Sequence, residues 1–137
     1  MTEQERLTLI NRSRAVGFNG HCGIRVEQAP DGASRVSCRI EAHHLNPNMT
    51  AHGGIIFTVM DTAAGVAALT VSGLSRTVVT QCADVHFLRP VRPGPLYAEG
   101  KVVKSGRQTA LVTVEVLDED GVLHAYGSFE IFYIDKP

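Results

Sequence analysis

The spacing of apolar positions changes several times along this chain. Thr2 with Glu5 fits a reciprocal helix cap, and Leu7, Ile10 and Val16 form a thin apolar stripe before Gly17. That pattern predicts a short amphipathic helix over residues 1–17. CGIRVEQ and SRVSCRIEA then flank Pro30-Asp31-Gly32, a turn signal between two strands. In the second run Val36, Cys38 and Ile40 alternate with Ser37, Arg39 and Glu41, so one strand face packs and the other is wet. The loop HHLNPNMTA leads into a long apolar run that predicts a helix over 53–72. After Gly73 the period returns to two. TVVTQCADVHFL, LYAEGKVVKSG, TALVTVEVLDE and LHAYGSFEIFYI read as four strands, rich in β-branched and aromatic residues and separated by turn signals.

The element order is therefore helix, two strands, long helix, four strands. Short links between consecutive strands favour antiparallel pairing. The expected architecture is α+β, one domain over 1–137, with an antiparallel sheet wrapped around one long central helix. On that helix Ile55, Ile56, Val59, Met60, Ala63, Val66 and Ala67 share a face that should pack on the sheet. The opposite face, with Phe57, Asp61, Ala64, Gly65 and Ala68, is small and mostly apolar. A helix that is apolar all round is buried all round, and one sheet of this length covers one side. A second copy of the chain is expected to cover the other, with the N-terminal helix as the alternative cover.

Composition narrows the field. Of 137 residues 44% are hydrophobic and 20% charged, with a formal net charge of −1, so nothing global points to nucleic acid or a membrane surface. The three cysteines, Cys22, Cys38 and Cys82, show no C-x-x-C spacing and are read as buried reduced thiols. The N-terminus is charged and lacks the apolar segment of a signal peptide, so the cytoplasm is the default expectation. The 53–75 run is long enough to suggest a membrane span, but Asp61, several hydroxyls and Gly65 and Gly73 weigh against that reading. No metal is expected: His43, His44 and His52 match no ligand spacing. His21, His86 and His124 lie singly on expected strands or their edges, and Asp84 with His86 reads as surface.

Asp61 is the only charged side chain between Gly53 and Ser75. Burying an unpaired carboxylate costs several kcal/mol unless hydrogen bonds compensate. Thr58 or Thr62 could supply such bonds in a purely structural role; a functional role is the other reading. The helix start favours the second. Gly53 and Gly54 carry no side chains, so their N–H groups are open to a ligand at the positive end of the helix. Such amides suit a developing oxyanion. Asp61 lies eight residues beyond Gly53, roughly 12 Å along the axis at about 1.5 Å per residue. A carbonyl held by Gly53 cannot also reach Asp61 of the same helix. If both groups serve one reaction, two antiparallel helices from two chains must bring them together.

N-P-N-M-T-A-H-G-G, with M-D-T-A-A-G further along the helix and a strand ending F-L-R-P, resembles the hotdog-fold acyl-CoA thioesterases of the PaaI-type, or phenylacetate-degradation, group. The resemblance spans roughly Val36 to Ile134. It implies that Gly53 polarises a thioester carbonyl and that Asp61, from the partner subunit, acts as nucleophile or general base. It further implies that Asn46 contacts the thioester or the attacking water, that His52 orders the helix start, and that Thr80 supplies a polar group. It implies a dimer, often a tetramer, and coenzyme A thioesters as substrates, with no cofactor. Gly54, Arg89 and the Ser105-Gly106-Arg107 turn are the candidates for coenzyme A contacts, by charge and analogy. Asp rather than Glu at position 61 points to the PaaI side of the family. Two other functions remain: a non-catalytic acyl-CoA binder, and a hotdog enoyl-CoA hydratase or dehydratase.

Overall fold

A computed structural model describes residues 1–136. The elements are α1 (Glu3–Arg14), α2 (Gly17–Cys22), β1 (Ile24–Gln28), β2 (Ala33–Ile40), a 3-10 turn (Ala42–His44), α3 (Gly53–Ser72), β3 (Arg76–Phe87), β4 (Gly94–Ser105), β5 (Thr109–Asp118) and β6 (Leu123–Asp135). All six strands form one antiparallel sheet in the order β1-β2-β4-β5-β6-β3. The sheet curls around α3, and the core lies between its concave face and the helix. Val59, Met60, Ala63, Val66 and Ala67 of α3 are buried there with Leu96, Val112, Val114, Phe129 and Ile131 of the strands. By length and composition α3 could cross a membrane; here it is the core helix of the sheet.

The helix is seated by close approach as well as by apolar burial. Ser34 Oγ donates to the Ala63 carbonyl at 2.6 Å, and Tyr133 Oη donates to the Ala68 carbonyl at 3.0 Å. At the first of these contacts Gly100 of β4 lies under the helix. A Cβ at Gly100 would sit 2.7 Å from both the Ala63 oxygen and Ser34 Oγ, so glycine is required for helix and sheet to approach this closely. At its C-terminus α3 stops at Gly73, whose φ of 67° is the left-handed cap conformation.

Several expectations are corrected here. The N-terminal helix ends at Arg14, and a separate short helix, α2, carries His21, which is therefore not at a strand edge. Ala64 and Ala68 are wholly buried by the chain's own sheet, so the open strip of α3 is narrower: Phe57, Thr58, Asp61, Thr62 and Gly65. Cys82 is exposed, unlike Cys22 and Cys38.

The two sheet edges differ. β1 is covered by α1: the Asn11 amide accepts from Val26 N at 3.0 Å and donates to the Val26 carbonyl at 2.8 Å. Arg6 adds two bonds to the Ala29 carbonyl. β3, twelve residues long, pairs with β6 on one side, and no described residue pairs with its other side. A long open edge is a ready template for another strand.

Candidate functional site

The loop before α3 is built around Asn46. Its Oδ1 accepts from Asn48 N at 2.9 Å and Thr50 N at 3.2 Å, and its Nδ2 donates to Thr50 Oγ1 at 3.1 Å. A side-chain amide that closes a turn in this way holds its own orientation. One of the two Nδ2 hydrogens is left over for a ligand. The turn includes Met49 at a φ of 64°, and Leu45 and Ala51 pair across its base.

His44 braces the loop from below. Its backbone carbonyl accepts from His52 N at 2.8 Å, its Nδ1 accepts from Glu41 N at 3.0 Å, and its Nε2 faces the Cys22 carbonyl at 2.9 Å. Burial, followed by the nearby His43, holds the His44 pKa below its ordinary value, which suits a neutral ring with both nitrogens engaged.

His52 is the N-cap of α3. Its Nδ1 accepts from Gly54 N at 2.8 Å. The expectation that both glycine amides are open is therefore corrected for Gly54, whose N–H is taken. The Gly53 N–H finds no acceptor among the described residues. Gly53 lines a cavity of about 280 Å³ together with Asn46, Phe87 and Arg89. Gly53 is the first residue of the helix, so its amide is one of the unpaired donors at the positive end of the helix dipole.

Asp61 lies in a different cavity, of about 490 Å³, lined by Phe57 and Gly65 from the same helix, Val79 and Thr80 from β3, and Arg14 and Phe18 from the N-terminal segment. The carboxylate is half-buried. Thr80 Oγ1 donates to its Oδ1 at 2.5 Å. Neither neighbouring threonine on α3 serves it: Thr58 donates to the Gly54 carbonyl and Thr62 to the Thr58 carbonyl, each at 2.8 Å. One carboxylate oxygen is thus held and oriented, and Oδ2 has no protein partner among the described residues. A carboxylate aimed by one hydroxyl with its other oxygen free can attack a carbonyl carbon or take a proton from water.

A single chain thus carries two half-sites. One holds Asp61 and Thr80; the other holds Asn46, Gly53 and Arg89. Arg89 donates through Nη1 to the Leu123 carbonyl at 2.5 Å, at one end of β6. The Ser105-Gly106-Arg107 turn lies at the other end, where Ser105 Oγ and Tyr133 Oη are 3.1 Å apart and the Arg107 carbonyl accepts from Arg76. Within one chain these candidate anion contacts do not converge. Asp84 and His86 form an exposed 3.7 Å pair on β3, away from both cavities. Sequence reasoning missed Arg14 and Phe18 in the Asp61 cavity. They come from the far end of the chain, and no local pattern marks them.

A six-stranded antiparallel sheet wrapped around one helix, with a capped glycine pair at the helix start and one carboxylate along it, defines the hotdog fold. The chain belongs to the thioesterase superfamily, whose family model matches residues 48–125. Its likeness within that superfamily is to the PaaI-type group. It is 31% identical to the acyl-coenzyme A thioesterase PaaI of Escherichia coli over 71% of this chain and 68% of that protein. The structure of the E. coli PaaI protein superposes with a TM-score of 0.86, covering 96% of this chain and 92% of that one at 23% identity. A Saccharolobus solfataricus protein with a provisional esterase name is 43% identical over 74 residues, 54% of this chain; that match spans only 52% of the relative's length. A Streptococcus mutans protein whose structure was solved bound to acetyl CoA superposes with a TM-score of 0.80 at 25% identity, covering 90% of this chain and 96% of that one.

Proposed function

We propose that this protein hydrolyses acyl-CoA thioesters to the free acid and coenzyme A, at sites completed by two copies of the chain. The observation that carries the reading is the separation of the half-sites: an unpaired amide at Gly53 and an oriented carboxylate at Asp61, in different cavities of one protomer. Two α3 helices lying antiparallel place the Gly53 amide of one chain opposite Asp61 of the other. The open edge of β3 supports such an assembly, since pairing it with a second β3 would continue the sheet.

In the completed site the thioester carbonyl accepts from the Gly53 N–H, and the helix dipole stabilises the negative charge that develops on its oxygen. Asp61 attacks the carbonyl carbon directly, or takes a proton from the water that does so. In either route the C–S bond breaks, sulfur leaves as the thiolate and is protonated, and water supplies the oxygen of the acid. Thr80 holds the carboxylate in line, and the free Nδ2 hydrogen of Asn46 is placed for the substrate or the attacking water. Arg89, which lines the Gly53 cavity, is the cation assigned to the coenzyme A phosphates. The named activity of the E. coli relative and the acetyl CoA bound by the S. mutans protein support the substrate class.

A panel of acyl-CoAs with free-thiol detection tests the reaction: thiol release is expected, whereas binding without release would indicate a non-catalytic binder. Asp61→Asn should retain the fold and lower kcat by about 10²–10⁴, the usual share of an acid–base group; parental turnover would overturn the assignment. The shared site has its own test. Gly53→Pro removes the donor at a helix position that tolerates proline, and His52, at a ψ of 138°, already has the extended backbone preferred before proline. Mixing Gly53→Pro and Asp61→Asn chains should restore roughly a quarter of parental activity, because half the dimers are mixed and each mixed dimer has one intact site. No restoration after confirmed subunit exchange would place both groups within one chain.

A further inference from the structure

The wall of the Asp61 cavity contributed by the N-terminal segment holds a cation that nothing in the fold satisfies. Arg14 ends α1 and lines the cavity together with Phe18, Phe57 and Val79. Its guanidinium forms no ion pair with any described residue. Its Nε is buried and has no hydrogen-bond partner. Burial disfavours its charged form, and no described carboxylate pairs with it. The segment around it is otherwise tied down: Asn19 Nδ2 donates to the Arg14 carbonyl at 2.8 Å, and Thr62 Oγ1 reaches Asn19 Oδ1 at 3.4 Å. The backbone carrying the guanidinium is thus fixed to α3, while its side-chain donors are left unpaired.

An unpaired, partly desolvated guanidinium is costly unless something negative joins it. The two Nη atoms at the end of the guanidinium make a fork that carboxylates fit in a bidentate manner. Besides Asp61 and Thr80, the cavity is lined by Asn19, Thr58 and Thr62 as well as by apolar side chains, and Arg14 is the one cation among its described lining residues. From this placement we infer that Arg14 is a specificity residue, selecting acyl groups that carry a carboxylate at the end remote from the thioester. This rests on the thioesterase reading above and names its substrate class: ω-carboxyacyl-CoA thioesters. The thioester carbon lies at Asp61, the apolar chain runs past Phe57 and Val79, and the terminal carboxylate docks on Arg14.

The test compares an ω-carboxyacyl-CoA with its methyl-terminated counterpart of equal length. The quantity read is the ratio of their kcat/KM values. Parental protein should favour the carboxylate, and Arg14→Met, which keeps an apolar stem, should lower the ratio roughly 10- to 100-fold, the worth of a charged hydrogen-bonded contact. Arg14→Lys, with charge but no fork, should fall between the two. An equal ratio in parental and Arg14→Met proteins overturns the inference. If Arg14→Met fails to fold, Arg14→Gln takes its place with the same expected direction. If parental protein cleaves neither thioester, the hydrolase reading fails by itself, and calorimetric binding of the same two ligands decides the matter. Carboxylate preference lost on substituting Arg14 supports the inference, and an unchanged preference sinks it.

Discussion

The role assigned to Asp61 depends on one hydrogen bond, from Thr80 at 2.5 Å. A half-buried carboxylate with a single protein partner keeps its direction through that partner. Thr80→Val preserves shape and removes the donor. It should lower kcat roughly 10-fold, the worth of one hydrogen bond to a charged group, with KM little changed. A fall in KM affinity with kcat intact would mean that Thr80 contacts substrate rather than Asp61. At this scale the residue pattern was informative about isolation, while Thr80 was named only through the family resemblance. Asp61 stands out because no other charge lies between Gly53 and Ser75. Its bond, however, comes from a strand nineteen residues away in the chain, while the adjacent threonines spend their hydroxyls on their own helix. Gly53 and Gly54 look equivalent in the sequence; the His52 ring, which folds back on one of them, separates their roles.

At the scale of elements, legibility follows the range of the forces involved. The bounds of α3 are set locally, by His52 as cap and Gly73 in the left-handed conformation, and the predicted 53–72 span agrees with Gly53–Ser72. The β1–β2 turn is equally local, closed by a bond from Ala33 N to the Pro30 carbonyl at 3.0 Å. The six residues GFNGHC of α2 carry too little periodicity to announce a helix. The strand order places β3 beside β6 at the edge, a long-range outcome that no spacing within β3 encodes. Which face of α3 was covered was also misjudged for Ala64 and Ala68, because the reach of a curled sheet depends on how closely it approaches. Gly100 sets that approach. Gly100→Ala would force its Cβ against the Ala63 oxygen and Ser34 Oγ, both at 2.7 Å, and should cost about 1–3 kcal/mol as overpacking. Gly65→Ala is the matched control: its Cβ would meet Val78 at an ordinary 3.6 Å, and the better helix former should leave stability equal or higher. Thermal melts of the two variants check the contrast, and equal losses would mean that helix and sheet are not in tight contact at Gly100.

For the whole molecule, the unequal treatment of the sheet edges is the informative feature. α1 covers β1 with the Asn11 and Arg6 bonds, whereas no described residue pairs with the outer edge of β3, and Val79, Phe87 and Leu88 are exposed on it or just beyond its end. Assembly along β3 would remove that liability and bring the half-sites together in the same step. Cys82 reports on it. Burial, then the neighbouring Cys22 and Glu41, pushes the Cys38 thiol up to about 11, and burial also raises Cys22, so both are poor thiolates. Cys82, exposed on the edge strand at the irregularity between Thr80 and Cys82, is the thiol a bulky reagent reaches first. If two copies pair through β3, Cys82 should label slowly in concentrated protein and faster on dilution. Specific thioesterase activity should fall over the same dilution range, since each site needs both chains. Rapid labelling and constant specific activity at every concentration would show that the β3 edge stays open and that the half-sites meet in some other way.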